Sequence, residues 1–184
     1  MLVEGISDQV ALETLAERRG RKLDAEGILL VPIGGAQSIG RFLHEYGPQG
    51  LDLGLTGLCD AAEEDEFRRG LERAGLPAAS TRADLEGLGF YVCVADLEDE
   101  LIRALGPATV ERVVDAQGDL GSFRTLQKQP AWQGRPTHEQ LRRFLGSGGS
   151  RKIRYARLLV EALEPDQVPR PLDLLLAHAS DQSP

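Results

Sequence analysis

LVEGISD, residues Leu2 to Asp8, is the stretch on which the fold turns. An apolar, strand-like run stops at Glu4, Gly5 permits a tight turn, and Ser7 or Asp8 can cap a helix. The apolar stripe of that helix starts at Val10, Leu12 and Leu15, and Gly20 closes it. Two later stretches share the pattern. LTGLCDAAEE from Leu55 and YVCVADLEDE from Tyr91 each pass from apolar residues into carboxylates and then into a helix-like sequence. Three parallel strands of this kind would deliver Glu4, Asp8, Asp60, Asp96 and Glu98 to one sheet edge. Hard oxygen ligands gathered there suit a divalent cation such as Mg²⁺, which takes one or two carboxylates and keeps several waters.

Working outward, residues 28–33 form a further predicted strand, and Gly34-Gly35 turns the chain into a helix over 38–46. The run 51–59, interrupted by Gly54 and Gly57, is the third strand. Its helix spans 62–74, with Phe67 and Leu71 four apart and Gly75 as the stop. Residues 90–95 make the fourth strand, followed by a helix through Leu101 and Leu105. Strands alternating with helices of about 10–15 residues argue for an α/β fold, a parallel four-stranded sheet covered on both faces. Beyond residue 107 the pattern is helical, over 108–116, 121–129, 138–145 and 152–163, and a Pro-rich crossing leads to a last short helix. The expected organisation is an α/β core over 1–120 and a helical extension over 121–184 packed on it. The first strand has only three residues, which predicts either a trimmed strand or a missing upstream segment.

A chain of 184 residues with 41% hydrophobic residues can bury a core as one domain. Its apolar runs fall well short of the roughly 20 residues that cross a bilayer, so the expected address is the cytoplasm, with no membrane partner. Cys59 and Cys93 each lie within a predicted strand and are expected to be reduced core residues. The net charge of −8 is unevenly spread. Residues 1–120 hold 11 Lys/Arg against 23 Asp/Glu, whereas residues 121–157 hold 9 against 1. An acidic body carrying one basic segment suits carboxylate-held metal beside a polyanion such as DNA, although a solvated basic helix face would look the same. Within that segment Arg142, Arg143, Arg151, Arg154 and Arg157 are the candidate phosphate contacts.

Other motifs carry less. Gly34-Gly35 reads as a tight turn, since no GxGxxG pattern surrounds it. His44, His138 and His178 share no ligand spacing, and Ser7 has no histidine partner for nucleophilic work. Trp132 and Phe123 flank Lys128 and could stack on bases, but aromatic residues at such positions more often belong to the core.

Taken in order, LVEGISD, the strand ending in Asp60, DLEDELIRALG from Asp96 and a lysine opening the late helix GSRKIRYARLLVEAL resemble the Toprim domain. That domain is shared by topoisomerases, bacterial primases and OLD-family endonucleases. The Glu4-xxx-Asp8 spacing, the stretch from Asp96 and the late lysine are most similar to the OLD family. The resemblance covers about residues 1–163. It implies an endonuclease that hydrolyses DNA phosphodiester bonds with one or two Mg²⁺ or Mn²⁺ ions. By it, Glu4 would bind metal or act as general base and Asp8 would be its second acid. Asp60 would be the first Asp of a DxD pair, Asp96 and Glu98 the later acid-bearing motif with Glu98 the better ligand, and Lys152 the cation that steadies charge on the phosphate.

Two departures bear on this. The second Asp of the DxD pair is Ala62, with Glu63 able to substitute from the next position. OLD proteins usually carry an ATPase domain, and no GxxxxGK[ST] loop is present, so an ATPase partner would be a separate polypeptide. The alternative expectation is a catalytically weak module that binds metal and DNA beside such a partner.

Overall fold

The computed structural model of the chain describes residues 1–181. Its centre is a parallel sheet of four short strands, β1 (Leu2–Val3), β2 (Val31–Pro32), β3 (Gly57–Cys59) and β4 (Phe90–Val92), in the order β2-β1-β3-β4. This is the α/β class expected from the alternation. Leu2 lies opposite both Val31 and Gly57, and Leu58 lies opposite Tyr91. The connection from β1 goes outward to β2 and the next returns past β1 to β3, so the strand order reverses between the two central strands. In open α/β sheets, ligands bind outside the carboxyl ends of the strands at such a reversal.

Side chains alternate across the sheet, as the pleat requires. Leu2, Cys59 and Phe90 bury one face beneath α2 (Ile39–Tyr46), α3 (Glu64–Arg73) and α4 (Arg82–Gly87). Val3, Leu58 and Tyr91 bury the other beneath α1 (Ile6–Arg18) and α5 (Leu97–Leu105). The C-terminal helices join this second face: α6 (Pro107–Ala116), α7 (Leu120–Gln127), α8 (Thr137–Leu145), α9 (Gly149–Ala162) and α10 (Arg170–Asp181). Helix α9 packs along α1. Arg18, ending α1, donates to the carbonyls of Val160 (2.5 Å) and Leu163 (2.7 Å) at the end of α9, the first of which also accepts the Leu163 N–H (3.2 Å). The basic helix is thereby fixed to the body of the fold.

The strands are shorter than the apolar runs suggested. Of residues 28–33 only Val31–Pro32 pairs, and Pro32, lacking an N–H, is accommodated because β2 is an edge. Of 51–59, the first part folds back on the end of α2. Leu51 and Leu53 donate to the carbonyls of Glu45 (2.9 Å) and Tyr46 (2.8 Å), with Asp52 at a φ of 52°. Helix α4 was not expected. Its signal is local, since Thr81 Oγ1 accepts the Asp84 N–H (3.1 Å) while Asp84 returns a bond to the Thr81 N–H (2.7 Å), a capping box with Asp in place of Glu. Gly57 is needed for space: a Cβ there would lie 2.8 Å from the Leu2 carbonyl oxygen and 2.9 Å from the Phe90 ring. Cys59 and Cys93 are buried free thiols, and burial first, then nearby carboxylates, raise both thiol pKa values. No described helix is long and apolar enough to cross a membrane.

Candidate functional site

The two central strands end side by side, and each is followed at once by a carboxylate. Glu4 follows β1 and Asp60 follows β3; Glu4 Oε1 accepts the Asp60 N–H at 2.7 Å. The backbone beneath Glu4 is also held, because the amides of Gly34 and Gly35 donate to its carbonyl at 3.1 and 3.0 Å. Their φ angles of 75° and 107° fall where glycine is favoured. These amides therefore lock the end of β1 and are not presented to an anion. Asp8 enters from the first turn of α1, with Oδ2 accepting the Gly5 N–H at 2.8 Å.

Each of these acids is destabilised as an anion. Burial raises Glu4, against the Asp60 N–H, and the charges of Asp8 and Glu63 add to the rise. Burial raises Asp8, opposed by the Gly5 N–H and by Lys152. Asp60 is pushed up to about 8 by burial and then by the carboxylates of Glu4 and Asp8. Like charges brought together in a partly dry site favour protonation or a bound cation.

The chain supplies one cation itself. Lys152, in the first turn of α9, places Nζ 3.4 Å from Glu98 Oε2. Burial pulls the Lys152 pKa down, but Glu98, Asp8 and Asp60 together outweigh it and hold the group charged. Glu98 is 6% exposed; burial raises its pKa and Lys152 opposes the rise. Asp96 is committed on both oxygens. Oδ1 accepts the Asp99 N–H (2.8 Å) as the cap of α5, and Oδ2 accepts from Arg142 Nε (2.7 Å). Glu63 sits in a 3-10 turn just after Asp60, half-buried, and Ala62 beside it is exposed. The fold thus brings Glu4, Asp8, Asp60, Glu98 and Lys152 to one edge, keeps Glu63 within electrostatic reach, and ties Asp96 to the protein.

Glu4, Asp8 and Asp60 fit a hard divalent ion by donor chemistry and by their mutual repulsion. Among the described residues no three Asp, Glu, His or Cys groups converge closely enough to ligate one ion together. What the edge offers is one or two carboxylates per ion, the number Mg²⁺ ordinarily takes from protein.

The arginines divide into two sets. Arg142 and Arg143 line a cleft with Asp96. The other three engage the protein's own surface. Arg151 donates to Ser147 Oγ (2.7 Å) and lies over the Phe144 ring, Arg154 pairs with Asp119, and Arg157 pairs with Glu161 (2.7 Å). One participant escaped the sequence reading. His138 Nε2 stands 2.6 Å from Asp99 Oδ1, and Asp99 also accepts from Arg103 Nε (2.8 Å). This network braces α5 against α8 behind Asp96. No spacing signal could have revealed it, because His138 and Asp99 are 39 residues apart.

A family model described as "Overcoming lysogenization defect protein-like, TOPRIM domain" matches residues 1–51. Among curated proteins, none matches the sequence. Among solved structures, the C-terminal region of the Xanthomonas campestris pv. campestris OLD protein is similar at a TM-score of 0.69 and 23% identity, with 98% of this chain and 93% of that one covered. The C-terminal region of the Burkholderia pseudomallei OLD protein is similar at a TM-score of 0.68 and 21% identity, covering 100% of this chain and 96% of that one. The matched segment includes Glu4 and Asp8, and the structural likeness runs on through the helix that carries Lys152. The first 51 residues thus match the OLD-like Toprim model, and the chain as a whole has the fold of the C-terminal regions of these OLD proteins.

Proposed function

We propose that this domain is a divalent-metal-dependent nuclease that hydrolyses DNA phosphodiester bonds at the carboxyl edge of β1 and β3. The observation that carries the reading is the joining of Glu4 to Asp60 across the central strand ends, with Asp8 and Lys152 in the same electrostatic neighbourhood. Glu4, Asp8 and Asp60 would supply one or two carboxylates to each ion, with Glu63 a further candidate beside Ala62. A bound Mg²⁺ or Mn²⁺ supplies charge neutralisation on a phosphate and a lowered pKa for water. Glu4, whose carboxyl is raised by burial, is suited to take a proton from the attacking water. Lys152, held charged beside Glu98, offsets charge growing on the phosphate, and Glu98 positions it. Arg142, bonded to Asp96, and Arg143 in the same cleft are the arginines offered to a phosphate backbone.

The test is nicking of supercoiled plasmid in Mg²⁺, Mn²⁺ or EDTA by wild type, Glu4→Gln and Lys152→Ala. The reading expects metal-dependent nicking, reduced about 100-fold or more in either variant. Metal-independent cleavage, or cleavage unaffected in both variants, would sink it. A second reading, a catalytically weak metal- and DNA-binding module acting with a separate ATPase, is favoured by Ala62 and by the lack of three converging ligands among the described residues. Under that reading folded wild type binds DNA without cutting it, and Ala62→Asp restores cleavage.

A further inference from the structure

Beside the carboxylate edge lies an open cleft of about 390 Å³, lined in part by Arg142 and Arg143, whose Trp132 and Arg135 the proposed chemistry does not use. Its walls are Asp96 at the head of α5, Arg142, Arg143 and Gly146 from α8 and its end, and Trp132 with Arg135 from the turn between α7 and α8. We propose that this cleft is a subsite for an unpaired DNA nucleotide, with its base stacked at Trp132 and its phosphates met by Arg135 and Arg143. The proposal rests on the nuclease reading and names its substrate class, single-stranded or locally opened DNA.

Three observations converge on it. Trp132 is only half-buried and forms part of the cleft wall, whereas Phe123, the other aromatic residue of the basic segment, is fully buried in the core. Arg135 lies over the Trp132 ring with Cζ 5.1 Å from the centroid. Aromatic rings joined to a guanidinium are one of the means by which proteins hold single strands without reading sequence. The platform is also pre-set. The buried side chain of Gln140 donates to the Trp132 carbonyl (2.8 Å) and accepts from Gln127 (2.7 Å), fixing the turn to α8 and α7. A buried amide spent on holding a surface tryptophan reduces the ordering cost of binding.

The charge pattern fits a phosphodiester chain running on to the carboxylates. Arg142 spans the two places, lining the cleft while bonded to Asp96. Arg143 has no ion-pair partner among the described residues; Arg135 Nε donates to the Ala131 carbonyl (2.9 Å), and its ion pair is a long one, 3.4 Å, to exposed Glu139, which also lines the cleft. A base at Trp132 would set the adjoining phosphate beside Arg142 and send the strand toward Asp60. Duplex DNA keeps its bases stacked and offers them no such seat.

Trp132 is the only tryptophan in the chain, so its emission reports on the subsite directly. The experiment titrates wild type in EDTA with a short single-stranded oligo-dT, following tryptophan emission and, in parallel, the anisotropy of a labelled oligonucleotide. Quenching that tracks the anisotropy change is expected. Trp132→Ala should weaken binding about tenfold or more, Trp132→Phe should retain most of it, and Arg143→Glu should weaken it while lowering its salt dependence. Circular dichroism of Trp132→Ala should match wild type, since the bond from Gln140 is to the backbone. Anisotropy binding without quenching, or unchanged by Trp132→Ala, overturns the subsite and leaves the nuclease reading standing. Preference for an intact duplex of equal length overturns the single-strand assignment. Absence of DNA binding and of metal-dependent nicking together overturns both.

Discussion

Asp60→Asn should make the metal-free protein more stable, by a margin that grows with pH. Burial and the carboxylates of Glu4 and Asp8 lift Asp60 from an ordinary 3.8 to about 8. Because the folded pKa lies above the unfolded one, the folded state carries no penalty below 3.8. Between the two values the unfolded chain gives up its proton first and stability falls; above about 8 the loss is complete. At about 1.4 kcal/mol per factor of ten in proton affinity, the full span corresponds to about 6 kcal/mol. Water reaching the half-buried carboxylate should reduce this to on the order of 2–3 kcal/mol, a melting difference of roughly 5–10 °C for a domain of this size. Asparagine keeps the shape and the backbone N–H to Glu4 while removing the charge. Thermal melts at roughly pH 5 and roughly pH 9 in EDTA should therefore show the variant pulling ahead of wild type as pH rises. Excess Mg²⁺ at the higher pH should raise the wild-type melting temperature and raise that of Asp60→Asn less. A difference between the two proteins that does not change with pH would refute the electrostatic account of this edge. A wild type indifferent to Mg²⁺ would refute its role in holding the ion.

Further outcomes follow from single contacts. Lys152→Met leaves buried Glu98 without its cation and should cost about 1–3 kcal/mol in urea unfolding, with much of the loss recovered in the double variant with Glu98→Gln. Gly57→Ala drives a methyl group into the Leu2 carbonyl and the Phe90 ring and should destabilise by about 1–3 kcal/mol, read by the same unfolding curve. Tyr155→Phe removes a 2.8 Å bond from a fully buried ring to Asp119 and should cost about 1 kcal/mol, with far-UV dichroism unchanged. Arg18→Ala removes the side-chain donor to the carbonyls of Val160 and Leu163 and should lower the melting temperature by several degrees, with hydrogen exchange rising first at the end of α9.

Sequence alone determined the class of the fold and the addresses of its acids. Short apolar runs around LV, GLC and FYV that end on carboxylates, against helical spacing between them, are a local property, and they placed Glu4 and Asp60 at strand ends without any tertiary information. They overstated strand length where local bonds outcompeted pairing, as at Leu51 and Leu53, and they missed α4, whose cap is Thr81 with Asp84.

Only the tertiary structure decided which charges meet. Strand order is a long-range choice, and the order β2-β1-β3-β4 is what sets Glu4 against the Asp60 amide 56 residues away. Five arginines look equivalent along the chain, yet packing commits Arg151, Arg154 and Arg157 to partners on the protein surface and leaves Arg142 and Arg143 beside Asp96. The same holds for the two aromatic residues of the basic segment, of which one is core and one lines a cleft. Residue type and spacing fix what each side chain can do, but its partner is set by the distance that packing imposes across the chain, and Coulomb and hydrogen-bond energies act on that distance.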